Sequence, residues 1–427
     1  MFVRADNIEN GQIHPAVRKL MLVNAIRSIG QGLMFVVLTL YLDALGWSTV
    51  AIGSVLSASG LLGVILAPLI GVLSDRYGRK PFTLFSELLT AGCALIGILS
   101  TNPIMLFIAI SLSGFGKADA GSPNPFAPAE QAWFASFIPI SERGKIYSLN
   151  NAISFFGMAT GAILVGTIRI EGYNFLEISS YQLVFCFIFV LSLVTTLIIL
   201  TVEGEEAINY QGNRDEVSSR DKGSENNEKK SRQKENVAIL KLAAINILNG
   251  IAIGLTGPMM SYWFSTKFGV SINLIGGALA LTFFTTGITS ILQAKISHKH
   301  GTVRSIVFVR YIASLLLILL PLLPSFALVS VIYILRTALN RGTQGAQQAL
   351  SVSLTRGKRR GFASSINIFS MRLPISIGPY ITGHLFGLGA LSLPFYIASG
   401  LQLSFAYLYG KSFRSYDTSI TLQTSSK

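Results

Sequence analysis

A dozen apolar runs, each close to the length that crosses a bilayer, constrain this chain more than any other feature. A spanning helix needs about 20 apolar residues. Runs of that kind fall near 18–42, 50–72, 82–100, 104–137, 146–167 and 181–201, then near 239–264, 272–294, 304–323, 327–354, 362–387 and 392–410. Composition agrees. Only 13% of the chain is charged and its mean hydropathy is +0.55, whereas a soluble chain carries roughly 25% charged residues. The expected class is an all-α membrane protein with twelve transmembrane helices. The first fifteen residues are polar and the first apolar stretch is too long for a signal peptide, so no cleavable leader is expected.

The segment 203–237 differs in kind: polar, mixed in charge, with almost nothing to bury. It reads as a flexible linker between two six-helix bundles, 1–202 and 238–427. Orientation follows from the basic residues. With the N-terminus inside, the cytoplasmic segments hold about 25 of the 34 Lys and Arg, and the outer loops hold about two, Arg169 and Lys267. Both termini and the linker are therefore expected in the cytoplasm. The formal charge of +14 becomes an orientation signal and an attraction for anionic lipid. No nucleic-acid partner is expected, and the protein is expected to be a monomer. Cys93 and Cys186 both sit in apolar runs, which supports neither a disulfide framework nor a metal site. No cofactor is expected.

The two halves repeat one another. Asn24 matches Asn246 and Gly32 matches Gly254; Gly46, Gly53 and Gly78 match Gly269, Gly276 and Gly301. Arg143-Gly144 matches Arg360-Gly361, and Asn150, Gly161 and Gly166 match Asn367, Gly378 and Gly383. The offset is 222 to 223 early and 217 late, so the first half carries about six extra residues, of which Ser122–Pro128 is the obvious insert. A parallel repeat of two six-helix halves is an architecture of alternating-access carriers.

The loop after the second run reads Gly71-Val-Leu-Ser-Asp75-Arg76-Tyr-Gly78-Arg79-Lys80. It resembles the signature loop of the major facilitator superfamily, G-x-x-x-D-R-x-G-R-[RK], at every defining position and in the same place. With twelve spans and a central linker, the resemblance covers nearly the whole chain. It implies two pseudo-symmetric six-helix bundles and a gating role for this loop, which in the family latches the halves together in the outward-open state. Two other family motifs are defective. The proton-linked arginine of the fourth span would fall near Ile110, and the antiporter motif of the fifth survives only as Gly157-x-x-x-Gly161-Ala162. Its Gly-Pro pair appears instead in the repeat copy, Gly378-Pro379.

Polar residues within the spans mark the candidate site. Asn24, Arg27, Ser28 and Gln31 share one face of span 1. Span 7 carries Asn246, Asn249 and Thr256, and span 10 carries Gln344, Gln347, Gln348 and Ser351. The resemblance implies that spans 1, 4, 7 and 10 line a central cavity; amides that tie helices together are the other reading. A charge at mid-membrane costs at least roughly 2.5–3.5 kcal/mol and needs a partner or water. Arg27 and Glu130 lie at similar depth, and the repeat replaces both with neutral residues, Asn249 and Gln347. An ion pair between them is expected, with Glu130 as the proton-coupling acid; a static pair is the alternative. Arg372 has no charged counterpart, since Phe155 stands at its repeat position. With Arg336 and Arg341 it suits an anionic substrate group. Lys117 and Asp119 fall in a Gly- and Pro-rich interruption of span 4, facing either the cavity or an outer loop.

Neither a phosphate-binding P-loop nor a nucleophile–base set is present, which argues against a pump or an enzyme. Secondary transport of a small molecule, with protons as coupling ions, is the expected function. Export of organic compounds or drugs, transport of an anionic metabolite or chelate, and a non-transporting receptor or scaffold are the readings in that order. The short loops suggest a prokaryotic inner membrane by analogy.

Overall fold

The computed structural model describes residues 14–116, 125–139, 142–167, 178–202, 225–300, 302–343, 347, 350 and 360–424. These form fourteen α-helices and no strand. The first half contains α1 (Pro15–Ala44), α2 (Thr49–Tyr77), α3 (Arg79–Leu99), α4 (Pro103–Ser113), α5 (Ala127–Ser136), α6 (Arg143–Thr167) and α7 (Ile178–Leu200). The second contains α8 (Glu225–Thr256), α9 (Met260–Phe268), α10 (Ile272–His300), α11 (Thr302–Leu319), α12 (Phe326–Gly342), α13 (Arg360–Gly387) and α14 (Leu393–Thr424). Among the described residues eight helices are long and apolar enough to cross a membrane: α1, α2, α3, α6, α7, α8, α10 and α11. The fourth, tenth, eleventh and twelfth runs are represented by α4 with α5, α12, α13 and α14.

Three local features differ from the simple picture of unbroken rods. Residues 225–237, read from sequence as part of the linker, continue α8 as helix, and residues 203–224 lie outside the described residues. The seventh span is broken after Thr256, where Gly257 and Pro258 intervene before α9. Proline has no N–H to offer and clashes with the preceding turn. The fourth span stops at Ser113, followed by Gly114 at φ 75°.

Small residues set the helix pairs. A Cβ at Gly161 would collide with the Ile29 carbonyl and one at Gly157 with Ser28, so α6 lies directly on α1. The repeat does the same: Gly254 lies against Ile375, and Gly378 against Gly254, joining α8 to α13. The halves meet through α2 with α13 and α6 with α10. There Gly53 and Gly60 face Pro379 and Ser376, and Gly276 faces the Ala162 carbonyl.

The hydrophobic core shows how the halves are disposed. Its largest cluster draws on both, from Leu33–Leu42 and Val165 to Met260, Ile275 and Phe386. It sits at the end away from the termini. Here Phe35 packs edge-on against Phe283, and the Ser261 hydroxyl donates to the Phe35 carbonyl at 3.0 Å. At the end that carries the termini, each half has its own cluster, one around Trp133 and Ile199, the other around Leu242 and Phe405. Along α2, Ser57 Oγ accepts from the Tyr380 amide at 2.8 Å, whereas Val72 and Tyr77 further on are 71% and 65% exposed. The molecule is closed at one end and parted at the other.

Candidate functional site

The charged centre of the first half is a triad. Arg27, from the middle of α1, directs Nη1 to Glu130 Oε2 and Oε1 at 2.7 and 2.9 Å. Its opposite edge meets Glu87 Oε1 of α3, from Nε at 2.7 Å and Nη2 at 2.6 Å. The Thr195 hydroxyl of α7 lies 2.6 Å from Glu87 Oε2. Glu87 is almost wholly buried, at 2% exposure, while Glu130 keeps 15%. One positive charge is thus held between two carboxylates. A cavity inside this bundle reaches the triad; Arg27, Gln31, Glu87, Thr90, Ser192 and Thr195 line it. It lies among α1, α3, α4 and α7 rather than between the halves.

The second half carries a rearranged copy. Arg310 of α11 is fully buried and donates from Nε to Thr343 Oγ1 at 2.9 Å and from Nη1 to Asn249 Oδ1 at 3.0 Å and to Asn340 Oδ1. Gln347 takes the amide orientation in which its oxygen accepts from Arg310 Nη2 at 2.8 Å. The Phe405 ring covers the guanidinium at 5.2 Å. By the offset that relates Gly78 to Gly301, Glu87 and Arg310 occupy matched positions. The arginine has moved from the first helix of the repeat to the third, where it replaces the Glu87 carboxylate, and Glu130 has given way to the neutral Gln347.

The sequence expectations are met unevenly. Arg27 and Glu130 are brought together, but the partner Glu87 was missed. Asn24 and Asn246 tie helices together. They are buried at 2% and 4%, Asn24 donating to Asn150 Oδ1 at 2.9 Å and Asn246 to Asn367 Oδ1. These are the repeat-matched asparagines of α6 and α13, so the amides join helices at their closest approach. Asn249 is likewise sequestered by Arg310. Gln31 does line the cavity described above. Arg336 is buried on α12, Arg341 stacks on Phe155 of the other half at 5.3 Å, and Arg372 is half-buried on α13. Gln344, Gln348, Ser351, Lys117 and Asp119 lie outside the described residues.

The loop Gly71–Lys80 bonds to residues of its own half. Gly78, at φ 92°, reverses the chain between α2 and α3 in a conformation that favours glycine, and Gly71 lets α2 approach Pro128. Arg79 bonds Asp75 Oδ1 at 3.0 Å and the Ala132 carbonyl at 3.0 Å. Lys80 Nζ meets the Leu200 and Val202 carbonyls at 3.0 and 2.5 Å, where a cation favours the end of α7. Arg76 sits 5.8 Å from the Tyr77 ring. Asp75 itself remains 64% exposed.

The model of the Major Facilitator Superfamily matches residues 20–237 and 242–416. An uncharacterized membrane protein of Saccharomyces cerevisiae is 22% identical over 421 residues, 93% of this chain and 94% of that protein. The multidrug resistance protein MdtH of Yersinia enterocolitica is 28% identical over 146 residues, 34% of this chain and 35% of MdtH. Among solved structures, a mutant of the nucleoside transporter NupG has a TM-score of 0.70 at 13% identity, covering 93% of this chain and 100% of that one. A bacterial homolog of the human lysosomal transporter Spinster, inward-facing and occupied, has a TM-score of 0.69 at 14% identity, covering 93% and 96%. At such identities the likeness is one of fold.

Proposed function

The chain belongs to the Major Facilitator Superfamily, and from that premise we propose that it carries a small solute across a membrane by alternating access, coupled to protons through the Arg27–Glu87–Glu130 triad. The observation that carries the alternating-access reading is the unequal core: one cluster common to both halves at one end, and clusters confined to a single half at the other. With the termini in the cytoplasm, as the distribution of Lys and Arg favours, this is an inward-open state.

The coupling reading rests on charge. The triad carries two carboxylates against one guanidinium, so one carboxylate can carry a proton while the other keeps Arg27 paired. Glu130, the more exposed carboxylate, receives the proton, and Arg27 then turns wholly to Glu87. In proteoliposomes loaded with a pH-sensitive dye, Glu130→Gln abolishes substrate-driven proton movement while substrate exchange persists. Proton movement unchanged in that variant would sink the coupling reading.

The loop Gly71–Lys80 is the gate. In the opposite state Asp75 leaves Arg79 and meets the end of a helix in the second half, as the family resemblance implies. The carrier works as a monomer. An anionic solute is the substrate class that the interior charge favours. Export of organic compounds is the second reading, favoured by the partial match to MdtH. An inner-membrane address has the same support, whereas the match over nearly the whole chain is to a yeast protein.

A further inference from the structure

Apart from Arg304 at the start of α11, the second half has four arginines in its spans and no carboxylate to match them. From residue 238 onward the only acidic residue is Asp417, beyond the last apolar run. Arg310, Arg336, Arg341 and Arg372 therefore lack a counter-charge within their own half. The first half does not provide one: among the described residues its intramembrane carboxylates, Glu87 and Glu130, are both bonded to Arg27.

The four arginines are not equivalent. Arg341 stacks on Phe155, Arg372 is half-buried, and Arg310 is enclosed by neutral amides and a hydroxyl. Arg336 is 6% exposed, and neither its Nε nor its Nη2 has a hydrogen-bond partner among the described residues. Those two atoms form one edge of the guanidinium, where parallel N–H bonds match the two oxygens of a carboxylate or phosphate. Arg27 presents the same edge to Glu87, with Nε and Nη2 at 2.7 and 2.6 Å from Oε1. A guanidinium does not give up its proton, and burying one without compensation is strongly unfavourable. Among the described residues no carboxylate meets this edge, which leaves it open to a bound anion.

We infer that this edge of Arg336 binds the oxyanion group, carboxylate or phosphate, of the transported solute. Arg310 adds a second positive charge: it bonds Asn340, one turn along α12 from Arg336. The inference rests on the reading of the chain as a carrier and gives that carrier its substrate class.

Thermal unfolding of the purified protein in a Hepes buffer poor in small anions tests it. Succinate, inorganic phosphate and the neutral analogue succinamide are added in turn at millimolar concentration. Succinate or phosphate is expected to raise Tm and succinamide is not; which acid acts separates a carboxylate from a phosphate site. Arg336→Gln is expected to be at least as stable as the parent without anion, since an uncompensated charge has gone. It should need about tenfold to a hundredfold more anion for the same shift. Arg336→Lys, which keeps the charge but not the parallel edge, falls between. A lower Tm for Arg336→Gln in the anion-poor buffer, an anion response that survives the substitution, or no response of the parent to either acid would each overturn the inference. No gradient enters this measurement, so it fails or succeeds independently of the coupling test on Glu130.

Discussion

Glu87 stands in the first bundle at the position Arg310 holds in the second, and each is the buried centre around which its bundle arranges polar partners. Two copies of one fold have thus kept a polar node and reversed its sign. One node is held together by ionic bonds, the other by neutral amides.

That difference makes the first bundle the more fragile one. Removing one member of a buried ion pair costs about 3–5 kcal/mol, because the partner is left uncompensated. Arg27→Ala, which leaves Glu87 and Glu130 without a counter-charge, is expected to lower stability by that amount, and Arg27→Ala/Glu87→Ala by less than the sum of its parts. Thermal unfolding of the four proteins of the double-mutant cycle gives the interaction directly. Independent, additive losses would show that the contact contributes nothing.

The gating loop gives the opposite pattern. The Asp75–Arg79 pair is an i, i+4 bridge with an exposed carboxylate, and such pairs are worth about 0–1 kcal/mol. Asp75→Asn should therefore leave Tm nearly unchanged yet slow transport at least roughly tenfold, if its principal contact forms in the other state. Transport rates in liposomes at matched protein content decide this. A rate equal to the parent's would remove Asp75 from the gate.

Close helix approaches predict a contrast between two glycines. A Cβ at Gly161 would overlap the Ile29 carbonyl, whereas one at Gly92 would meet nothing within 4 Å. Gly161→Ala should destabilise by roughly 1–3 kcal/mol, the usual cost of overpacking. Gly92→Ala should be neutral or stabilising by up to about 1 kcal/mol. Folded yield and Tm report both.

The closed end can be locked. A Cβ at Gly60 would lie 2.6 Å from Ser376 Cβ, and a disulfide needs about 3.8 Å, within reach of a small helix shift. Gly60→Cys/Ser376→Cys, in a background with Cys93 and Cys186 replaced, should crosslink on oxidation and stop transport until reduced. Transport that continues through quantitative crosslinking would mean that this end does not open.

Much of this was legible from the residues alone. Asn24 with Asn246 and Gly161 with Gly378 recur at constant offsets, which made the two bundles visible before any packing was known. The Arg27–Glu130 pair was legible because both charges vanish together in the repeat. Glu87 was harder. A single charge in an apolar run has no period, and its partner depends on how α1, α3 and α5 pack. The matched pair Glu87 and Arg310 was nonetheless present in the repeat alignment. The asparagines misled for a related reason. A helix that is apolar on most sides does not reveal whether a polar residue faces water or a neighbouring helix. The break at Gly257-Pro258 carried a plain signal in its dipeptide, which the long apolar run concealed.

Where α2 meets α13 and α6 meets α10, the seam has stretches without teeth. Gly53, Gly276 and Gly383 bring backbone against backbone, so at these points no side chain interlocks across it. Interdigitated surfaces must unmesh one by one before they separate. Smooth ones can roll, as bearing faces do, keeping contact along a moving line. The glycines that let these helices come so near are also what spares them a steep barrier when they part.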